Sequence, residues 1–340
     1  MTIVWKHGSN AAPKVHNLAP LYNHRVKEEQ IINFIIENGN KTVISTNPII
    51  GVGIDKLWVT VPILDTDQEK HILERCLQLK KEEKFHGKHL TESYVSDGIY
   101  KHHFNYKTPS GEDIRFDFTP FKSGHNYFRF DITPDRLFKA GEMHLFVELM
   151  NDLHFMGIDT PTMKITRLDP FVDIEVPTSH VICKSTARSC SVIKDNDGTI
   201  RTHYLGSVTS KVEYRIYDKA LKSKKEGKPV KQKYLTRVEV ELANHPLKEL
   251  LNINPFERLE LFICSQDIQH HDHNFQMFMD SCYQRGLPQV LARKSPSQAK
   301  PYLDKLKAFT PHYWDKEAIR KAYQAELINL LEVITMLGLQ

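Results

Sequence analysis

No apolar stretch of the chain approaches the ~18–20 residues that a bilayer-spanning helix requires. Residues 1–13 hold no apolar core and no small-residue cleavage site. Export is therefore not expected, and a cytoplasmic location is. Cysteine is scarce. Cys76, Cys183, Cys190, Cys264 and Cys282 form no C-x-x-C pair, which argues against a structural zinc site and fits a reduced compartment. With 15 glycines and 17 prolines in 340 residues, the chain is neither low-complexity nor fibrous. It also lacks a charge excess. Lys and Arg number 46 and Asp and Glu 42, a formal net charge of +4, which excludes a histone-like polycation. A nucleic-acid enzyme stays open, because it needs only a local basic surface. No G-x-x-x-x-G-K-[ST] loop is present, so a fused helicase is not expected. No strong internal repeat is found.

What is present is ordinary globular composition, 40% apolar and 26% charged, with organised patterning. Residues 26–38 predict a helix with Ile31, Ile32, Ile35 and Ile36 on its apolar side. Residues 55–64 predict a strand. Thr66 with Glu69 makes a capping box that opens a helix through Ile72, Leu73, Cys76 and Leu77. Residues 113–118 and 127–132 alternate apolar and polar and are joined through Pro120 to Gly124, as in a hairpin. Residues 142–156 predict an amphipathic helix closed by Gly157. Strands are expected near 163–176, 201–206, 211–218 and 234–242. After Pro246 the pattern turns helical, with Ser265 and Asp315 as N-caps and Gly286 as a stop. Ile319, Tyr323, Leu327, Leu331 and Ile334 lie along the last helix. The expected fold class is α+β: a mostly antiparallel sheet with helices on one face, plus a helical C-terminal part. The expected divisions are an N-terminal extension (1–50), an α+β body (51–258) and a helical C-terminal region (259–340).

Side chains on a strand alternate between faces. Within 165–176, Leu168, Val172, Ile174 and Val176 oppose Arg167, Asp169, Asp173 and Glu175, with Phe171 among the latter. Within 235–242, Val238, Val240 and Leu242 oppose Arg237, Glu239 and Glu241. Within 212–219, Val212, Tyr214 and Ile216 oppose Glu213, Arg215 and Tyr217. Within 127–132, Arg129 and Asp131 oppose Phe128, Phe130 and Ile132. If these strands share a sheet, one face is core and the other collects acids, arginines and a tyrosine. The plain reading is a solvated face of cross-strand ion pairs, each worth about 0.2–1 kcal/mol. The sharper reading is a phosphate site in which carboxylates hold Mg²⁺ or Mn²⁺ as a Lewis acid. A tyrosine on that face is placed to act as a covalent nucleophile. The alternation assigns that role to Tyr217 and puts Tyr214 in the core. Lys219 follows on the same face and suits phosphate charge. Lys222, Lys224, Lys225, Lys228, Lys231 and Lys233 surround Glu226, the only acid there. They read as a solvated loop or as a track for a DNA backbone.

Three runs resemble the replication initiation factor family of rolling-circle plasmids and filamentous phages, with its related relaxases. They are Tyr204-Leu-Gly-Ser-Val-Thr-Ser210, Tyr214-Arg-Ile-Tyr-Asp-Lys219 and Thr236-Arg-Val-Glu-Val-Glu-Leu242. Ile54-Asp-Lys-Leu-Trp-Val-Thr-Val-Pro62, Phe128-Arg-Phe-Asp-Ile-Thr-Pro-Asp-Arg-Leu137 and Ile165-Thr-Arg-Leu-Asp169 extend the resemblance over about 54–245, in order.

The resemblance implies an endonuclease and strand transferase that nicks one strand at a replication origin. A 5′-phosphotyrosine and a 3′-hydroxyl primer would result, and the displaced strand would later be religated. It places the nucleophile on Tyr217 and the metal ligands on Asp131, Asp169 and Glu239, with Asp173 and Glu241 as lesser candidates. Arg129, Arg167, Arg215 and Arg237 are expected to contact phosphates. Ser207 and Ser210 are expected to bond the DNA backbone or end a strand, and Lys222, Lys224 and Lys225 to form the track. The implied partners are single-stranded and duplex origin DNA, a host helicase and a polymerase. The His-hydrophobic-His metal triplet of the broader superfamily is absent. His271-Asp272-His273 reads as an exposed helix start and His102-His103 as a strand-end pair. The alternatives are a conjugative relaxase at a transfer origin and a non-catalytic DNA-binding protein on the same fold.

Overall fold

Fourteen consecutive residues, β1 (Ile49–Pro62), form the strand on which the sheet is built. The computed structural model describes residues 48–63, 66–94, 100–118, 127–153, 164–187, 189–207, 210–264 and 266–335. The helix expected at 26–38, the Pro120–Gly124 join, Gly157 and the Ser265 cap lie outside the described residues. Ten strands make one antiparallel sheet. They are β1, β2 (Thr91–Tyr94), β3 (His102–Lys107), β4 (Asp113–Phe118), β5 (Tyr127–Ile132), β6 (Lys164–Ile174), β8 (Cys190–Lys194), β9 (Ile200–Leu205), β10 (Val212–Asp218) and β11 (Thr236–Ala243). Their spatial order is β2-β3-β4-β5-β1-β6-β11-β10-β9-β8. A separate pair joins β7 (Val181–Lys184) to β12 (Glu260–Ile263). The region after Pro246, expected to be helical, therefore holds a short strand as well.

β1 starts earlier than its apolar run implied and changes phase midway. Val52 and Ile54 point inward, and so do Leu57, Val59 and Val61. The register against β6 shifts between Ile54 and Lys56. A bulge of this kind turns two successive side chains outward. Asp55 and Lys56 both leave the core there.

The α+β architecture follows from one apolar layer. α1 (Thr66–Lys81) buries Ile72, Cys76 and Leu79, and α3 (Met143–Asp152) buries Leu145, Phe146 and Leu149. Both meet the inward residues of β3, β4 and β5, where Phe104, Phe116, Phe128, Phe130 and Phe146 contact one another. Such aromatic pairs add about 0.5–1.5 kcal/mol beyond the area they bury. α9 (Lys316–Thr335) packs on β1 and sets Ile319, Tyr323 and Leu327 into the same layer. Asp315 caps it by accepting from the Glu317 and Ala318 amides at 2.9 and 3.1 Å. Two shorter helices lie between, α2 (Pro134–Lys139) and α4 (Lys219–Lys225), followed by α5 (Leu247–Asn252). α6 (His273–Arg285), α7 (Leu287–Leu291) and α8 (Pro296–Leu306) enclose a second cluster with β7 and β12, centred on Phe262, Phe275 and Met279. Gly286 ends α6, and Asp272 opens it by accepting from the Phe275 amide at 3.1 Å. Among the described residues no helix is long and apolar enough to cross a membrane.

Candidate active site

The site is organised around a guanidinium beneath the polar face. Gly53 on β1 leaves room for the Phe171 ring, which lies 2.9 Å from where a Cβ would stand. The Arg237 guanidinium stacks on that ring at 3.5 Å. Register sets Arg237 opposite Asp173 on one side and Tyr217 on the other. Arg237 Nε and Nη2 donate to the two Asp173 oxygens, both at 2.7 Å, and Nη1 donates to Asp55. Arg237 is only 2% exposed. Burial works against its charge, but Asp173 and Asp55 more than offset this and hold its pKa well above the usual value. Burial also opposes the Asp55 carboxylate, yet Arg237 and then Lys219 bring its pKa down to about 2. The expectation that Arg237 contacts DNA phosphates is thus corrected: it is a buried tie between strands. Asp173, a lesser metal candidate, is its partner.

Tyr217 stands beside this tie. Its hydroxyl donates to Glu239 Oε2 at 3.0 Å. The side chain is buried on the polar face, whereas Tyr214 lies in the apolar layer with its pKa pushed up to about 12 by burial. The alternation along β10 is therefore as read. Burial holds the Tyr217 phenol protonated, far above its ordinary range. Arg237 pulls the other way, and Glu239 and Asp55 add to the rise. Glu239 is itself raised by burial and by the nearby Asp55 and Asp169. Lys219, 4.0 Å from Asp55, is lowered to about 8, first by burial and next by Arg237. The chain turns from β10 into α4 at Asp218, whose carboxylate accepts from the Leu221 amide at 2.8 Å. That turn brings Lys222 over the Tyr217 ring, 4.9 Å from its centroid. An open cleft of about 500 Å³ lies between β8–β10 and α4. Arg201, Tyr204, Arg215, Tyr217, Lys222, Lys225 and Glu239 are among its lining. Lys222, Lys224 and Lys225 are all exposed.

The remaining expected residues are distributed differently. Asp169 accepts from Arg167 Nε and Nη2 at 2.8 and 2.5 Å. Burial raises its pKa despite this pair. Arg215 donates to Glu213 at 2.9 Å and to Glu239 at 3.1 Å, and also to Glu241, which pairs with Arg167 at 2.8 Å. Asp131 is held by Arg115 and by Lys56 at 3.3 Å. It sits on β5, three strand spacings and about four residues in register from Glu239 on β11, roughly 19 Å. Asp131, Asp169 and Glu239 therefore do not fit a single ion. Among the described residues no group of three or more His, Cys, Asp or Glu could hold a metal ion.

Ser207 and Ser210 serve the β9–β10 turn. The Ser210 hydroxyl lies 2.6 Å from the Ser207 carbonyl and 2.8 Å from that of Val212. Gly206 enters the turn at φ +118°, where a Cβ would press on the Val212 carbonyl at 3.0 Å. His271-Asp272-His273 is a helix start, its His271 ring resting on Phe275 and Phe309. His102 and His103 begin β3 and bond Glu92 and Asp117 at 2.7 and 2.5 Å.

Asp55 is the residue that sequence reasoning passed over. Its only signal is the interrupted alternation at Ile54-Asp55-Lys56-Leu57.

No protein-family model and no curated protein matches the chain. Among solved structures it is similar to a rolling circle replication initiator protein from Geobacillus stearothermophilus. The identity is 17% and the TM-score 0.37, over 77% of this chain and 97% of that one.

Proposed function

We propose that the chain is a DNA nicking-closing enzyme that initiates rolling-circle replication, with Tyr217 as its nucleophile. The observation that carries this is the Tyr217–Glu239 hydrogen bond at the wall of a cleft edged by Arg201, Lys222 and Lys225. The ordered motifs over 54–245 support it independently.

A protonated phenol is a poor nucleophile, and burial keeps this one protonated. Glu239 is raised by burial and by Asp55 and Asp169, which makes it a stronger base than a free carboxylate, and it already accepts the phenolic hydrogen. In the forward step, Tyr217 Oη attacks the scissile phosphorus as its proton passes to Glu239. The bond to the 3′ oxygen breaks, that oxygen leaves and takes a proton from water, and the 5′ phosphate stays on Tyr217. The reverse step, with a new 3′-hydroxyl, recloses a strand. Lys219 and Arg215 supply positive charge beside the phosphate. Strand separation and synthesis fall to a separate helicase and polymerase. Relaxation at a transfer origin would use the same step on a different sequence.

The burial of Tyr217, 8% exposed, favours a second reading in which the face binds DNA without capture. A labelled pool of random single strands, incubated with the protein in Mg²⁺ or Mn²⁺ buffer, separates the two. We expect a denaturation-resistant adduct that Tyr217→Phe abolishes and Tyr214→Phe retains. An adduct surviving in Tyr217→Phe overturns the assignment. Retention of the pool on a filter with no adduct supports the binding reading.

A further inference from the structure

An aromatic residue on a face of ion pairs needs a reason. Trp58 points away from the core that Leu57 and Val59 enter. It sits opposite Asp131 on β5 and Arg167 on β6. Three cations surround its ring: Arg129 at 4.2 Å, Arg167 at 5.0 Å and Lys56 at 5.5 Å. Arg129 also lies 4.4 Å over the Tyr100 ring, so its planar guanidinium contacts two aromatic rings. The Trp58 indole N–H is buried and has no acceptor among the described residues.

We propose that Trp58, Tyr100 and their arginines form a second binding subsite, one that stacks bases of single-stranded DNA. The vertical order of charge supports it. The acids lie deepest, with Asp117, Asp131 and Asp169 at 0, 7 and 1% side-chain exposure. The cations lie above them, with Arg115, Lys56 and Arg129 at 43, 31 and 17%. A ligand approaching the face meets positive charge first. An arginine drawn from the ring to a phosphate exposes both an aromatic surface and an unsatisfied donor. Bases stack on such rings with little regard to sequence, while guanidinium groups take the backbone. A duplex keeps its bases inside and cannot use the rings.

The subsite is distinct from the Tyr217 cleft. Trp58 and Tyr217 are three strands and about six residues apart in register, roughly 24 Å. Arg167 and Arg215 lie between them. A strand of several nucleotides would run from Trp58 to the nucleophile. The placement of the bound strand relative to the nick rests on the nicking reading; the stacking itself does not.

The test uses the full chain and an oligo-dT single strand. Affinity is read by anisotropy and stacking by quenching of tryptophan fluorescence. Trp58→Ala should weaken oligo-dT binding roughly 5- to 100-fold, the loss of one stacked base. Trp58→Phe should restore most of the affinity but remove the quenching. Binding of a duplex of equal length should not change. Arg129→Met should lower the salt slope of oligo-dT binding by about 1. Wild-type oligo-dT affinity in a folded Trp58→Ala protein overturns the proposal. So does an equal loss on single strand and duplex. If Trp58 governs oligo-dT binding but no adduct forms on Tyr217, the subsite stands and the nicking reading falls.

Discussion

Replacing Arg237 with methionine separates a structural arginine from a DNA-contacting one. Arg237 makes three charge-assisted hydrogen bonds to two carboxylates and stacks on Phe171, at 2% exposure. Methionine preserves much of the side-chain volume and removes the charge. Asp173 and Asp55 then stay at 10 and 16% side-chain exposure without their main partner. Breaking a buried pair from one side costs about 3–5 kcal/mol. At about 2 °C per kcal/mol for a chain of this size, the melting temperature should fall by roughly 6–10 °C. A phosphate-contacting surface arginine would instead change stability by no more than about 0.5 kcal/mol and lower the salt slope of binding by about 1. Thermal melts followed by circular dichroism, with salt-dependent oligo-dT binding, measure both quantities. Adding Asp173→Leu to Arg237→Met should recover part of the loss, because one stranded carboxylate is removed. A melting temperature within about 2 °C of wild type, with a reduced salt slope, would refute the reasoning.

Three further outcomes follow from the same geometry. Glu239→Gln should slow adduct formation by about 10²- to 10⁴-fold while leaving single-strand affinity unchanged; a wild-type rate would remove Glu239 as the base. Lys219 is lowered to about 8, so its charge is present below that pH and lost as pH rises through it. Single-turnover capture should therefore decline above pH 8, and Lys219→Arg should hold the rate at higher pH; a flat wild-type profile would count against this role. Asp272→Ala should cost α6 about 1 kcal/mol of stability through its lost cap, with Asp272→Ser close to wild type in the same melts.

Within single strands, alternation was a reliable guide. Over Val212–Asp218 it separated Tyr214 from Tyr217 because three apolar residues mark the inward face. β4 and β5 were legible for the same reason. What lay beyond reach was the register between strands. Whether Arg237 faces solvent or two acids depends on Asp173 and Asp55, which are 64 and 182 positions away in sequence. Asp131 and Asp169 share a face, yet their positions in the strand order set Asp131 apart from Glu239. Asp55 was hidden by a bulge, which breaks the period on which strand reading depends. β2, β7 and β12, each four residues long, are too short for any period to show. Trp58 was read only as part of the strand at 55–64, because its three cations come from β5, β6 and β1 together.

The central position of β1 has a consequence for synthesis. It is the first described strand to leave the ribosome and the fifth of ten in the finished sheet. One edge waits for β5 and the other for β6, which begins at Lys164. At about 5–20 residues per second, the second wait lasts roughly 5–20 s. During that time an apolar strand stands with both edges unpaired, the state most open to pairing with another chain. The bulge at Asp55, the adjacent Lys56 and the two glycines Gly51 and Gly53 interrupt it at this point. They blunt its edges while it waits, and two of them later serve the Arg237 tie: Gly53 makes room for the Phe171 ring and Asp55 accepts from the guanidinium.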